Sequence, residues 1–115
     1  QEMIDTETAR EKASVELSSE NLSPNHDGWE DELCLQYVVP NDDYLATCAV
    51  YTANGMLVKQ LCHQSSISSS GKICWDGTTA SGSTAEIGVY VIYIELRNKS
   101  THDTLRQRMA VSLTL

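Results

Sequence analysis

The stretch Cys74-Trp75-Asp76-Gly77, followed after a polar loop by Gly88-Val89-Tyr90-Val91-Ile92-Tyr93-Ile94-Glu95-Leu96, decides the fold. Its second half is the most apolar run in the chain, and nearly all of it is β-branched or aromatic. Such side chains lose little χ1 freedom on a pleated strand and pack well across it. The run falls far short of the roughly 20 apolar residues that a helix needs to cross a bilayer. It reads instead as a central strand buried on both faces. Trp75 reads as a large core side chain at a strand end, with Asp76-Gly77 as the turn that follows. Two layers of short strands, clamped by the Tyr90–Leu96 ladder and the Trp75 indole, leave no cleft for catalysis.

Outward from this centre, further strand patterns recur between turn signals. Downstream, Asn98-Lys99-Ser100-Thr101-His102 turns the chain into a last strand, Asp103–Leu115. Upstream, alternation predicts strands at Ser14–Ser18, Glu32–Val39, Leu45–Ala53, Met56–Cys62 and Lys72–Trp75. Asn54-Gly55 predicts a tight hairpin in which both turn residues take positive φ. Residues 21–31, 64–71 and 76–87 read as loops, and 1–13 as an acidic linker or arm. The expectation is an all-β chain: a seven-stranded antiparallel β-sandwich of immunoglobulin or fibronectin III type over residues 14–115. The chain starts at Gln1 and ends inside a strand pattern, as expected of a C-terminal piece of a longer or processed protein. No signal peptide, transmembrane helix or N-terminal lipid-acceptor Cys is visible.

Charge narrows the function classes. The net charge of −8 comes entirely from residues 1–32, which hold ten Asp/Glu against Arg10 and Lys12. Residues 33–115 hold six acids and six bases. There is no basic stripe for nucleic acid, and an anionic membrane surface would repel the chain.

Four landmarks stand in order: Ser23-Pro24-Asn25-His26-Asp27-Gly28-x-x-Asp31, Val50-Tyr51-x-x-Asn54-Gly55-x-x-Val58, Trp75-Asp76-Gly77, and Ile87-Gly88-Val89-Tyr90-Val91-Ile92. Together they resemble the FlgD-like immunoglobulin-type domains found at the C-termini of secreted and surface proteins of gliding and gut bacteria. The resemblance covers roughly residues 22–115. His26 stands where the pattern has Gly, Ala85-Glu86 replaces a Pro-containing segment, and the cysteines are additional. Family members that serve as sorting signals often end in a basic strand, whereas this chain ends Ser112-Leu113-Thr114-Leu115. The resemblance implies a non-catalytic, extracytoplasmic module whose partner is another protein or an upstream domain of the same polypeptide.

Several residues invite a chemical reading. Asn25, Asp27 and Asp31 have the alternating oxygen spacing of a calcium loop, with Gly28 permitting the sharp turn. The same residues also suit Asx-turns that hold the loop in shape. Trp29 is the stacking candidate if the loops bind carbohydrate or calcium, which is the alternative function; no other cofactor is implied. The cysteines, Cys34, Cys48, Cys62 and Cys74, fall one in each of four successive strand patterns. They read either as small buried thiols or as disulfides of an oxidising compartment, with Cys62 and Cys74 as the first pair to test. His26, His63 and His102 are too scattered to share a metal. Asp76 is explained by its turn, and no G-x-S-x-G elbow activates the serines.

Overall fold

A computed structural model describes residues 13–23 and 32–114. They form eight strands: β1 (Ser14–Leu17), β2 (Asn21–Leu22), β3 (Leu33–Val38), β4 (Tyr44–Thr52), β5 (Leu57–Ile67), β6 (Ser70–Trp75), β7 (Gly88–Asn98) and β8 (Thr104–Leu113). The strands lie in two sheets, one ordered β1-β3-β6 and the other β2-β8-β7-β4-β5. The strand beyond the seven expected is β2, a two-residue segment in what the sequence presents as loop. It runs parallel to β8, so the sandwich is not wholly antiparallel. Among the described residues no helix is long and apolar enough to cross a membrane.

The two sheets share one long, bent hairpin. Its arms are β3–β4 and β5–β6, and its tip is the Asn54-Gly55 turn. The tip half (β4 with β5) belongs to the five-stranded sheet, and the base half (β3 with β6) to the three-stranded one. At the bend the Val39 amide donates to the Ser69 carbonyl, which keeps the arms together as they change sheets. The tip is wider than a two-residue turn. Gly55 has φ +95°, Asn54 does not reach positive φ, and the Thr52 amide donates to the Met56 carbonyl. A three-residue loop, 53–55, with one left-handed glycine satisfies the strand twist as well.

The core lies between the sheets. Leu33, Leu35 and Tyr37 of β3 and Trp75 of β6 face Ala46, Cys48 and Val50 of β4, Tyr90, Ile92, Ile94 and Leu96 of β7, and Val111 and Leu113 of β8. Trp75 is fully buried, and its ring meets Tyr90 edge-on at 5.3 Å between centroids. Its indole N–H donates to the Thr78 carbonyl at 2.8 Å, so the one polar atom of the ring is satisfied inside the core. The Tyr90 hydroxyl likewise donates to the Glu86 carbonyl.

Two expectations are corrected here. The segment read as a serine-rich loop is strand: β5 continues through Ser65 and Ser66 to Ile67, opposite Ala46, Leu45 and Tyr44. An edge strand needs only one hydrogen-bonded neighbour, so its outward residues need not be apolar. Cys62 is not bonded to Cys74. With only Ser68 and Ser69 between β5 and β6, Cys62 lies in one sheet and Cys74 in the other, where Cys74 is bonded to Cys34. The Cys34 backbone amide and carbonyl both bond to Ser18 on the β1 side. Toward β6, Cys34 and Cys74 are therefore a directly opposed pair without mutual ladder bonds, the closer of the two antiparallel spacings, and their Cα atoms lie 4.0 Å apart.

Candidate functional site

β7 sits at the middle of the five-stranded sheet, and its side chains alternate between two surfaces. Tyr90, Ile92, Ile94 and Leu96 enter the core, while Val89, Val91, Tyr93 and Glu95 stand on the outer face. The expectation that both faces are buried fails on this outer side: no described element covers it, and Val89 is 55% exposed.

Register fixes what stands beside each outward residue, because directly opposed residues of an antiparallel pair share a face. Leu57, Tyr51, Val91 and Ala110 form one row across four strands. Ala49, Tyr93 and Arg108 form the next, and Thr47, Glu95 and Arg106 the one after. The rows enclose an open groove of about 590 Å³ walled by Tyr51, Tyr93, Arg106 and Arg108, with Val91 between them and Gly55 at one end. Ala49 is only 1% exposed although it belongs to this face, because the larger side chains around it close over its methyl. Beyond the groove, at the hairpin tip and the start of β7, Met56, Leu57 and Ile87 are all more than half exposed.

The electrostatics of this face oppose those of the whole chain. Arg106 Nε lies 3.0 Å from Glu95 Oε2, whereas Arg108 has no ion-pair partner among the described residues. An unpaired guanidinium beside two tyrosines can accept a carboxylate bidentately or stack on an aromatic ring. Nothing in the sequence pattern separated these residues from strand filler. The available signal was that Arg106 and Arg108 alternate in step with Tyr93 and Glu95 across the last turn.

The other candidates are placed as follows. Asn25, Asp27, Trp29 and Asp31, together with His26, lie outside the described residues. His63 is exposed on β5, and His102 Nδ1 meets an Arg97 guanidinium nitrogen at 3.0 Å in the β7–β8 turn. Asp76 is held by its turn: Oδ1 accepts from the Thr78 amide and hydroxyl, with Lys59 Nζ 3.9 Å away. The Thr78 hydrogen bond holds its carboxyl below the usual aspartate value. A group kept ionised in this way is a poor general acid. Among the described residues, Glu32, Cys34 and Cys74 bring their potential ligand atoms together, but two of the three are joined as a disulfide. A second cavity of about 490 Å³ lies at the other end of the sandwich, near Tyr44, Asn98 and Asp103. There the buried Asn98 side-chain oxygen is committed to the Ser100 and Thr101 amides, so it holds the turn rather than a ligand.

No protein-family model matches the sequence, and no curated protein matches it. Similarity appears at the level of structure. CopC from Methylosinus trichosporium OB3b superposes with a TM-score of 0.53 at 11% identity, over 88% of this chain and 92% of that one. The periplasmic chaperone SfaE gives 0.50 at 11% identity, over 87% of this chain and 56% of that one. PorZ, a surface component of the type-IX secretion system of Porphyromonas gingivalis, gives 0.46 at 18% identity, and the chain spans only 12% of its length. The first two likenesses show a shared fold: this chain is an all-β, two-sheet sandwich.

Proposed function

We propose that this chain is a non-catalytic, extracytoplasmic interaction module of the FlgD-like immunoglobulin type, which docks a protein partner or an upstream domain of its own polypeptide. The observation that carries the reading is the open outer face of β7. A strand apolar on both sides normally has both sides covered. Here Val89, Val91 and Tyr93, with Leu57 and Tyr51 beside them, stay in contact with solvent. Contiguous apolar surface rimmed by polar groups marks an interaction site, and tyrosine with arginine is the composition enriched in interface hot spots. The Cys34–Cys74 disulfide supports an oxidising, extracytoplasmic setting, and the periplasmic chaperone that shares the fold agrees with that location.

Site-specific photo-crosslinking in the producing cell tests this reading. A crosslinker at Val91 or Ala110 is expected to give one discrete adduct in the extracytoplasmic fraction. The same crosslinker at Lys72, on the outer side of the three-stranded sheet, is expected to give none. No adduct from either groove position, or equal adducts from both sheets, would overturn the docking face; adducts confined to the cytoplasm would overturn the location.

A further inference from the structure

The bent hairpin carries two cysteine pairs, one in each half, and only one of them is bonded. Cys34 and Cys74 are register partners in the base half, and Cys48 and Cys62 are register partners in the tip half. The pairs nest around the Asn54-Gly55 turn. The free pair sits where the β4–β5 ladder is irregular, with register shifts on both sides of Cys48. Gln64, at φ +46°, takes up part of the extra length and donates its amide to Thr47 Oγ1. The Gln60 side-chain amide donates to the carbonyls of both Cys48 and Cys62, at 3.2 Å and 2.8 Å, so one side chain clasps the two cysteine backbones. Cys62 Sγ lies 3.5 Å from the Ala46 carbonyl, which puts the sulfur over β4 rather than away from it.

We propose that Cys48 and Cys62 form a second cross-strand disulfide site, closed by exchange with the disulfide of a thiol–disulfide oxidant. Burial sets the order of events. Cys62 is half-buried and Cys48 wholly buried, so an external disulfide reaches Cys62 first. The Cys62 thiolate attacks one sulfur of the oxidant and forms a mixed disulfide, and the other sulfur leaves as a thiolate. Cys48 then attacks the Cys62 sulfur, the mixed disulfide breaks, and the second oxidant sulfur leaves. The two cysteines lose two electrons and two protons in all, and the oxidant's disulfide becomes two thiols. The product ties the β5 edge to β4 at a place where its ladder is interrupted. Cys48 is the slow partner, because burial beside Cys62 pushes its thiol up to about 12. The second step accordingly quickens as pH rises.

The test uses the whole chain and oxidised glutathione as the disulfide probe. Remaining free thiols are blocked by alkylation only after incubation, with an aliquot alkylated without incubation as the reference. The protein is then digested in acid without reduction and read by mass spectrometry. The expected product is a linked peptide pair containing Cys48 and Cys62, beside the Cys34–Cys74 pair. In Cys48→Ser the reaction is expected to stop at a glutathione adduct on Cys62, and in Cys62→Ser no adduct forms. A wild-type protein that retains glutathione on Cys62 without the linked peptide, or that joins Cys62 to Cys62 of a second copy, would overturn the proposal. The wild-type readout stands even if a variant misfolds.

Discussion

Along β7, the inward residues Tyr90, Ile92, Ile94 and Leu96 and the outward residues Val89, Val91 and Tyr93 are equally apolar as letters but differ in what covers them. The inward set meets β3 and Trp75 across the sandwich and is almost wholly removed from water. The outward set meets only its own sheet. Apolar character on the first surface is explained by stability, and on the second it is not. The proposed docking face rests on this contrast: it is the side where the fold gains least from the residues it displays.

A pair of adjacent truncations tests that contrast most directly. Ile94→Ala is expected to cost about 2–5 kcal/mol, from lost transfer energy and the cavity left behind. Tyr93→Ala is expected to cost about 1 kcal/mol or less, the range of strand preference at a surface position, while abolishing the crosslink at Val91. Urea denaturation of the two variants measures both. If Tyr93→Ala proves as damaging as Ile94→Ala, the outer face is structural and the docking proposal loses its foundation.

The inward surface has a second, smaller probe at Gly71. It is the register partner of Tyr37, and a Cβ built there would lie 2.5 Å from the Tyr37 hydroxyl oxygen. Tyr37 is 7% exposed and has little room to move aside. Gly71→Ala is expected to cost about 1–3 kcal/mol by overpacking, and its unfolding midpoint should fall between those of the Ile94 and Tyr93 variants.

Which parts of this were legible in the sequence follows from how locally each is determined. Trp75, the existence of the β7 strand and the hairpin at Asn54-Gly55 depend on short-range pattern, and the structure has all three. The cover over the outer face of β7 and the positive φ at Asn54 do not follow from that pattern and are not found among the described residues. The continuation of β5 through Ser65 and Ser66 was hidden because a polar edge strand looks like a loop until its partner is known. The pairing of Cys74 with Cys34 was hidden for the same reason: it follows from both hairpin arms running on past the bend, and spacing alone favoured the nearer Cys62. The outer groove was least legible. Its rows combine residues from β4, β7 and β8 that only the register brings side by side.

Trp75 and Asp76 repeat the inward-outward contrast at the end of β6, and pH reads the outward member. Trp75 is fully buried, whereas the Asp76 side chain is 53% exposed and bonded to Thr78. The Thr78 hydrogen bond, with a smaller contribution from Lys59, lowers the Asp76 carboxyl below its ordinary value of 3.8 in the folded state. The unfolded chain therefore takes up a proton at higher pH than the folded one. The contribution of Asp76 is complete above the unfolded value and is lost as pH falls through the folded one. Asp76→Asn keeps an oxygen that accepts from Thr78 and removes only the charge. Its urea midpoint is expected to lie slightly below wild type at neutral pH and to converge with it in acid, the smallest effect of the series because solvent screens so exposed a group. If the two midpoints instead stay parallel as pH falls, the side chain matters at this strand end only as a hydrogen-bond acceptor, and its negative charge contributes nothing.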